Sequence, residues 1–455
     1  MKKFTKALSF IISAVLLTLS FSGCSTKPQN TDGDTATTIR YLNFKPEIAS
    51  YYEELSKLYK EETGVTVIVD TAANNQYEST LTAKMATDEA PTLFQINGPK
   101  GYSNWRDYCA DLSGTKLYDA LNDKSLAITD KNGRVFGIPY VVEGYGIIYN
   151  EAITDKYFKL ANRAAKFDSM DDVDSFEKLK TLVEDMQKRK DELGIKGVFA
   201  STSLKSGEDW RWQTHLANVP LYYEFEKNAV DLASDDTEEI TFEFSKNFKN
   251  IFDLYLNNSV IPKTAVATKT VTDSMSEFAL QECAMVQNGN WAWSQISGIS
   301  GNKVKEDNIE FLPIFTGADG EENQGLCIGT ENFYAINKNS SDAERKAAED
   351  FIYWLYSSDT GKKYVVEKFG FIAPFNTFSQ NEVPDDPLAR EVMDWMDEDD
   401  IKTIPWNFTI FPSATFKEDF GASLLKYAQG TKTFDDVKND MVASWKKEAA
   451  ALKKD

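Results

Sequence analysis

The alternation of apolar runs near the start of the chain restricts the fold more than any other feature of the sequence. Apolar and β-branched side chains at 38–44, 65–69 and 92–96 predict three strands. Between them, large apolar side chains recur at helical spacing over 48–59 and 77–85, which predicts two helices. Strands that alternate with helices form parallel sheets with right-handed crossovers. The sequence therefore predicts an α/β protein.

Mostly polar side chains follow the first and third of these strands. Asn43, Phe44 and Lys45 stand at the end of the first strand, and Asn97 follows the third. Ligands of open α/β sheets bind beyond the carboxyl ends of the strands. We therefore expect these four residues to lie near a ligand, although Lys45 also fits a solvated surface charge.

A second informative stretch runs from Cys283 to Trp293. Residues 283–286 are apolar and predict a buried strand, and we expect the pair Asn288-Gly289 to form a turn after it. Trp291 and Trp293 follow at once. An indole at the mouth of a sheet offers a flat apolar face to a sugar ring, and neighbouring asparagine amides suit its hydroxyls. The alternative is that both tryptophans pack in the core.

The same stretch resembles the Ala-Met-x-x-x-Gly-x-Trp segment of extracellular solute-binding proteins that serve ABC sugar importers, especially the maltose-binding-protein-like group known as family 1. The resemblance covers nearly the whole mature chain. Residues 135–150 resemble a hinge strand of that family, and 326–337 resembles its return crossing into the first lobe. The chain is then expected to cross a third time near 370–375. The resemblance implies a two-lobed, type II periplasmic-binding-protein-like fold. Each lobe would be a mainly parallel sheet flanked by helices, and hinge crossings would join the lobes.

The resemblance also implies a division of the chain. We expect a lipoprotein signal peptide at 1–23 and a flexible, polar tether at 24–37. The N-terminal lobe is expected to comprise 38–140 plus about 325–370, and the C-terminal lobe 141–324 plus about 371–455.

The family places aromatic side chains on the ligand, and three tryptophans here stand at the corresponding positions. Trp291 corresponds to the tryptophan that stacks on the ligand from the C-terminal lobe. Trp210 is a second stacking candidate, with Trp212 expected to pack beneath it, and Trp406 falls where the family often adds a third aromatic. The complete set of ligand-binding residues that we expect is Asn43, Phe44, Lys45, Tyr77, Asn97, Glu143, Tyr145, Trp210, Asn290, Trp291 and Trp406.

Residues 1–23 predict an export signal that is separate from the fold. Basic residues precede the apolar run Leu8–Leu19, which is too short to span a bilayer. Ser20–Cys24 then resembles a bacterial lipobox, with Phe21 where leucine is usual. The resemblance implies that Cys24 is acylated and anchors the protein to the extracellular face of the bacterial cell membrane. An ordinary secretory signal is the alternative.

Composition argues against several other classes of protein. The 71 acidic residues outnumber the 50 basic ones, giving a formal charge of −21, which argues against binding to nucleic acid. The single histidine, His215, argues against histidine-rich zinc chemistry. Cys109, Cys283 and Cys327 are widely spaced, and we interpret them as buried thiols. The sequence contains no phosphate-binding or dinucleotide-binding fingerprint, and we expect no metal and no cofactor.

These observations predict a lipid-anchored, monomeric solute-binding protein, not an enzyme. It would capture a sugar, in particular an oligosaccharide, by lobe closure and deliver it to the permease subunits of an ABC transporter. One alternative is a binding protein for a non-sugar polar solute, and another is a ligand-loaded co-receptor for a membrane sensor. A secreted glycoside hydrolase that uses the pair Asp171-Asp172 or Asp385-Asp386 is a weaker alternative, because adjacent carboxylates in polar runs are usually solvated.

Overall fold

The computed structural model describes residues 37–72, 74–234 and 237–452. The export signal, Cys24 and the tether as far as residue 36 lie outside the described residues. The strands are β1 (Thr38–Asn43), β2 (Thr66–Thr71), β3 (Leu93–Asn97), β4 (Ile128–Thr129), β5 (Val135–Pro139), β6 (Glu143–Asn150), β7 (Met285–Gly289), β8 (Ile309–Leu312), β9 (Gln324–Gly329), β10 (Asn332–Ile336) and β11 (Lys402–Ile404).

Helices make up most of the remaining chain. The α-helices are α1 (Ala49–Thr63), α2 (Asn74–Met85), α3 (Gly98–Trp105), α4 (Lys116–Asp119), α5 (Glu151–Phe158), α6 (Phe176–Lys188), α7 (Lys190–Leu193), α8 (Ala217–Asn228), α9 (Ser245–Asn257), α10 (Val271–Ala279), α11 (Ala292–Ser297), α12 (Asp342–Ser357), α13 (Asp359–Lys363), α14 (Pro387–Asp397), α15 (Ala414–Ala428) and α16 (Phe434–Leu452). Two π-helical segments cover Arg211–Leu216 and Tyr364–Lys368. Among the described helices, none is long and apolar enough to cross a membrane.

The first sheet has the strand order β2-β1-β3-β10-β5-β4 and forms the centre of the first lobe. β1 is parallel to both β2 and β3, so the predicted strand–helix alternation is confirmed. Successive strand residues point to opposite faces of a sheet. Accordingly, Tyr41 packs in a core with residues of α1 and α12, whereas Leu42 packs in another with residues of α2 and α3. Helices therefore cover both faces of this sheet.

The second sheet forms the centre of the second lobe, and its order is β11-β9-β6-β7, with β8 also paired to β6. β6 runs antiparallel to β7, β8 and β9, and only β11 is parallel to its neighbour. The first sheet likewise has antiparallel pairs on both sides of β10. The two-lobed α/β architecture is confirmed, but the expectation of two mainly parallel sheets is wrong. β6 is the first strand after the chain enters the second lobe, and β10 is the first strand after it returns to the first lobe. Each of the two is antiparallel to the neighbours named above.

Three segments connect the lobes. The first lies between β5 and β6, the second is the pair Thr330-Glu331 between β9 and β10, and the third follows Gly370. The first and third are joined by an antiparallel bridge between Val142 and Ile372, and Phe375 then bridges to Leu121 in the first lobe. Because β9 pairs with β6, the second sheet extends to Gly329.

Candidate functional site

Two cavities lie between the lobes, and together they form what we call the cleft. The first cavity, of about 330 Å³, is lined chiefly by Phe44, Glu78, Asn97, Trp210, His215, Glu331, Thr409, Phe411 and Lys417. The second cavity, of about 460 Å³, is lined chiefly by Lys45, Glu47, Tyr51, Glu143, Asn290, Trp291, Trp293, Phe371, Asp385 and Asp386. Each cavity takes its walls from both lobes, and each has the volume typical of a small-molecule site.

Aromatic rings converge on His215 at the centre of the cleft. The imidazole stacks on the ring of Tyr145, with centroids 4.2 Å apart and planes 9° apart. Trp210 and Trp291 contact it edge-on at 4.8 Å and 5.6 Å, and Trp406 lies at 6.2 Å. The three tryptophans predicted from the sequence thus belong to one cluster. Their contact with a ligand stays a prediction.

His215 is the member of this cluster that sequence reasoning missed. Burial lowers its pKa well below the ordinary value, and the charges of Arg211 and Lys417 lower it further. The imidazole is therefore neutral, and its Nδ1 has no hydrogen-bond partner among the described residues. A neutral imidazole can both donate and accept a hydrogen bond.

Trp210 projects from the start of a π-helical segment and is only partly exposed. The guanidinium of Arg211 lies 4.3 Å from the centre of its indole, on one face. Burial lowers the pKa of Arg211 to about 9. Trp212 is 1% exposed and belongs to the core of the second lobe, where its ring contacts Phe252 and Tyr255.

The short segment that carries Trp291 differs from its predicted form. Asn288 and Gly289 are buried residues of β7 and do not form a turn; the chain turns afterwards, and α11 begins at Ala292. A Cβ at position 289 would overlap the Trp291 ring, so glycine is needed there for the close approach of the indole. Trp291 lines the second cavity, and so does Trp293, which is also only partly exposed.

Lys45 and Glu143 form a buried ion pair between the lobes. The Lys45 Nζ lies 2.7 Å from Glu143 Oε1 and 3.5 Å from Glu47 Oε1. Burial alone would lower the pKa of Lys45, but these carboxylates raise it to about 12. Burial raises the pKa of Glu143, and Lys45 partly offsets that effect. The interpretation of Lys45 as a solvated surface charge is therefore wrong.

Four of the predicted ligand-binding residues form hydrogen bonds within the protein. Asn43 is fully buried, and its amide bonds to the Lys45 carbonyl and the Thr71 hydroxyl. Asn290 Oδ1 accepts a hydrogen bond from Gly144 N. The hydroxyl groups of the two buried tyrosines, Tyr77 and Tyr145, donate to the backbone carbonyls of Leu42 and His215 respectively. Asn43, Tyr77 and Tyr145 line neither cavity, and the contact of all four residues with a ligand stays a prediction.

Polar groups that do line the first cavity come from several separate elements. Asn97 Nδ2 donates a hydrogen bond of 2.6 Å to Oε1 of Glu331, which lies in the second crossing. Burial lowers the pKa of Lys417, while the charges of Glu331 and Glu78 raise it in part. Apart from Asn97, the sequence did not point to these residues, because they reach the cleft from helices and a crossing that are distant in the chain.

One carboxylate of each acidic pair considered for glycoside hydrolysis accepts hydrogen bonds from the backbone. Asp172 accepts hydrogen bonds from the backbone N–H groups of Asp168 and Ser169 in an exposed loop. Asp386 accepts from two backbone N–H groups and begins α14. Cys109, Cys283 and Cys327 are buried free thiols, as predicted.

Two α/β lobes joined by three crossings, with an aromatic cleft between them, define a two-lobed ligand-binding protein. The chain belongs to the family of bacterial extracellular solute-binding proteins, whose family model matches residues 54–392.

Named relatives of this chain include sugar-binding proteins. The melibiose/raffinose/stachyose-binding protein MelE of Bacillus subtilis (strain 168) is 26% identical over 152 residues; this match spans 33% of the chain and only 35% of the relative. RafE in complex with raffinose has a TM-score of 0.68 at 18% identity, covering 91% of this chain and 100% of RafE. A sugar transporter from Bacillus licheniformis in complex with stachyose has a TM-score of 0.65 at 17% identity, covering 90% and 100%. The two structural comparisons show likeness of fold.

Proposed function

We propose that this protein is a lipid-anchored extracellular solute-binding protein that captures an oligosaccharide in the cleft and delivers it to an ABC transporter. The observation that carries the proposal is the cluster of Trp210, Trp291 and Trp406 around His215, in which Trp210 lines the first cavity, Trp291 lines the second, and Trp406 is buried. Flat indole faces suit the apolar faces of sugar rings.

The first cavity combines an aromatic wall with directional polar groups. A sugar ring stacked on Trp210 lies beside His215, whose neutral imidazole suits a hydroxyl. Asn97, Glu331 and Lys417 line the same cavity and supply further donors and acceptors. Because these groups come from both lobes, a bound sugar would hold the lobes together, and ligand would favour the closed form of the protein.

The relatives narrow the class of sugar to test first. MelE is named for melibiose, raffinose and stachyose, and solved structures of similar fold hold raffinose or stachyose. We propose a neutral oligosaccharide of this size as the ligand.

Isothermal titration of the mature protein with melibiose, raffinose, stachyose, maltose and chitin oligosaccharides tests the proposal. We expect at least one of them to bind with a dissociation constant in the micromolar range or below. A micromolar dissociation constant corresponds to a binding free energy of roughly 8 kcal/mol. No heat with any member of the panel would contradict a sugar-binding function.

The lipid anchor is tested separately. In cells, Cys24→Ala should abolish acyl labelling and release the protein into the medium, because acyl chains supply the membrane affinity. Cys109→Ala, which changes a buried thiol of the first lobe, is the matched control and should leave the protein anchored. Membrane retention of Cys24→Ala equal to that of the wild type would exclude the anchor.

The division into lobes is part of the same proposal. We assign 38–140 and 332 to about 375 to the N-terminal lobe, and most of the remaining described chain to the C-terminal lobe. The three crossings would act as the hinge, since bending at short connecting segments is the usual route to domain closure.

A further inference from the structure

Only a few side chains separate the first cavity from the second. Phe44 lines the first cavity, and the next residue, Lys45, lines the second. On the opposite wall, Trp210 lines the first cavity and Trp291 the second, with their ring centroids 6.2 Å apart. The two cavities are therefore neighbouring compartments of one cleft.

Lys45 is held in place at this division. Its ammonium lies 2.7 Å from Glu143 Oε1, and the two side chains are 8% and 6% exposed. The same ammonium lies 5.7 Å from the centre of the Trp291 ring and 5.8 Å from that of Phe371. The cation therefore covers an aromatic surface that a sugar ring would otherwise contact.

A neutral sugar cannot easily displace this lysine. Its hydroxyls can form hydrogen bonds, but they carry no charge to replace the partner of Glu143. Moving Lys45 aside would leave a buried carboxylate without its cation, which is strongly unfavourable. Beyond the lysine, however, the second cavity has an aromatic wall of its own, formed by Trp291 and Trp293.

We propose that Lys45, held by Glu143, is a gate that limits the length of the bound oligosaccharide. It confines the sugar to the first cavity, and the second cavity is a continuation of the cleft that accepts a further sugar unit when the gate is removed. This inference rests on the proposed function and adds a residue that determines specificity.

The test compares sugars of increasing length on the wild type and on the double variant Lys45→Ala/Glu143→Gln. Melibiose, raffinose and stachyose form one series of two, three and four units, and the chitin di-, tri- and tetrasaccharides form another. The double variant removes both charges, so neither is left buried alone. We expect the ratio of the affinities for the longest and shortest sugars of a series to rise by roughly tenfold, as one added aromatic contact would produce.

Lys84→Ala/Asp70→Asn is the matched control, because it removes a 2.8 Å ion pair of the first lobe that lines neither cavity. It should keep the wild-type preference for length. If the double variant does not fold, Lys45→Met/Glu143→Gln fills the space of the lysine side chain, leaves no charge buried alone, and should shift the same ratio in the same direction.

The outcomes separate the two proposals. Sugar binding by the wild type together with an unchanged length preference in the gate variants overturns the gate and leaves the proposed function standing. Failure of every sugar to bind the wild type overturns both.

Discussion

At the scale of single residues, the sequence identifies the aromatic side of the cleft better than its polar side. The resemblance to the family singles out Trp210, Trp291 and Trp406 among the nine tryptophans, and the structure places them together around His215. Asparagines at strand ends are ambiguous, because an amide that suits a ligand also suits a turn. The amide of Asn43 donates to the Lys45 carbonyl and to the Thr71 hydroxyl, and its contact with a ligand stays a prediction. His215 could not be singled out, because only tertiary packing brings a lone histidine onto Tyr145.

Trp210 and Trp212 provide a sharp test of the cleft. Trp210→Ala should weaken sugar binding by about thirty- to hundred-fold, since stacking and burial of a sugar face together contribute roughly 2 to 3 kcal/mol. Its unfolding free energy should change little, because the ring is partly exposed. Titration calorimetry and urea unfolding of the ligand-free variant measure the two effects.

Trp212→Ala is the control two residues along the chain. Its ring is buried in the core, so truncation should lower the unfolding free energy by about 3 to 5 kcal/mol. Where the variant still folds, its affinity for sugar should stay close to that of the wild type. Equal losses of stability in the two variants would contradict the assignment of Trp210 to the cleft.

Asp386 predicts a pH dependence of stability. Burial raises its pKa to about 7, despite hydrogen bonds from Leu388 N and Ala389 N that lower it. In the unfolded chain the pKa is about 3.9, so between these values the folded state holds a proton that the unfolded state has lost. The stabilising contribution of protonated Asp386 is therefore fully present at low pH and is lost as the pH rises through about 7.

Asp386→Asn keeps a side-chain oxygen at the start of α14 but cannot titrate. As the pH rises from 5 to 8, the unfolding free energy of this variant should increase by about 1 to 2 kcal/mol relative to that of the wild type, after allowance for partial exposure. Urea unfolding at both pH values gives the comparison. Parallel pH profiles for the two proteins would show that Asp386 is not the titrating group.

At the scale of elements, the sequence predicts which segments are strands but not the direction of their pairing. The alternation over β1 to β3 correctly predicts a parallel arrangement, because each strand is followed by a helix. β6 has the same apolar character, yet it is antiparallel to β7, β8 and β9. The apolar pattern of a fully buried strand is the same whether its neighbours are parallel or antiparallel. The direction of pairing therefore follows only from where the chain changes lobes.

Gly98, at the start of α3, marks a close contact between elements of the two lobes. A Cβ at this position would lie 2.5 Å from Thr409 Cβ, and its φ of +60° is in the left-handed region. Gly98→Ala should therefore hold the lobes apart and weaken sugar binding, on our estimate by about tenfold or more. Titration calorimetry with the best ligand of the sugar panel measures this effect.

Gly64→Ala separates lobe contact from backbone strain. Gly64 ends α1 with a φ of +79°, and a Cβ there would meet nothing within 4 Å. Alanine at either glycine costs about 1 to 2 kcal/mol in the left-handed conformation. Both variants should thus lose similar stability, and only Gly98→Ala should lose affinity. A comparable fall in affinity for Gly64→Ala would indicate that backbone strain alone is responsible.

At the scale of the whole molecule, the contacts across the cleft describe a closed arrangement. Lys45 reaches Glu143, and Gly98 packs against Thr409. Without a ligand, contacts of this kind must hold the lobes together, because the three crossings allow the lobes to move apart. We expect the ligand-free mature protein to have a larger radius of gyration in X-ray scattering than the sugar-saturated protein. Identical scattering curves with and without a tightly bound sugar would rule out closure.

The position of the one histidine has a practical consequence for following this protein in solution. With the imidazole stacked 4.2 Å from the Tyr145 ring and edge-on to two indoles, its carbon-bound protons lie in the ring-current fields of several aromatic groups. In a preparation without a histidine tag, the chain contributes a single imidazole to the proton NMR spectrum. Those resonances should stand apart from the aromatic envelope without isotope labelling. They should move when a sugar stacks on Trp210 beside the imidazole, so the cleft contains its own spectroscopic reporter.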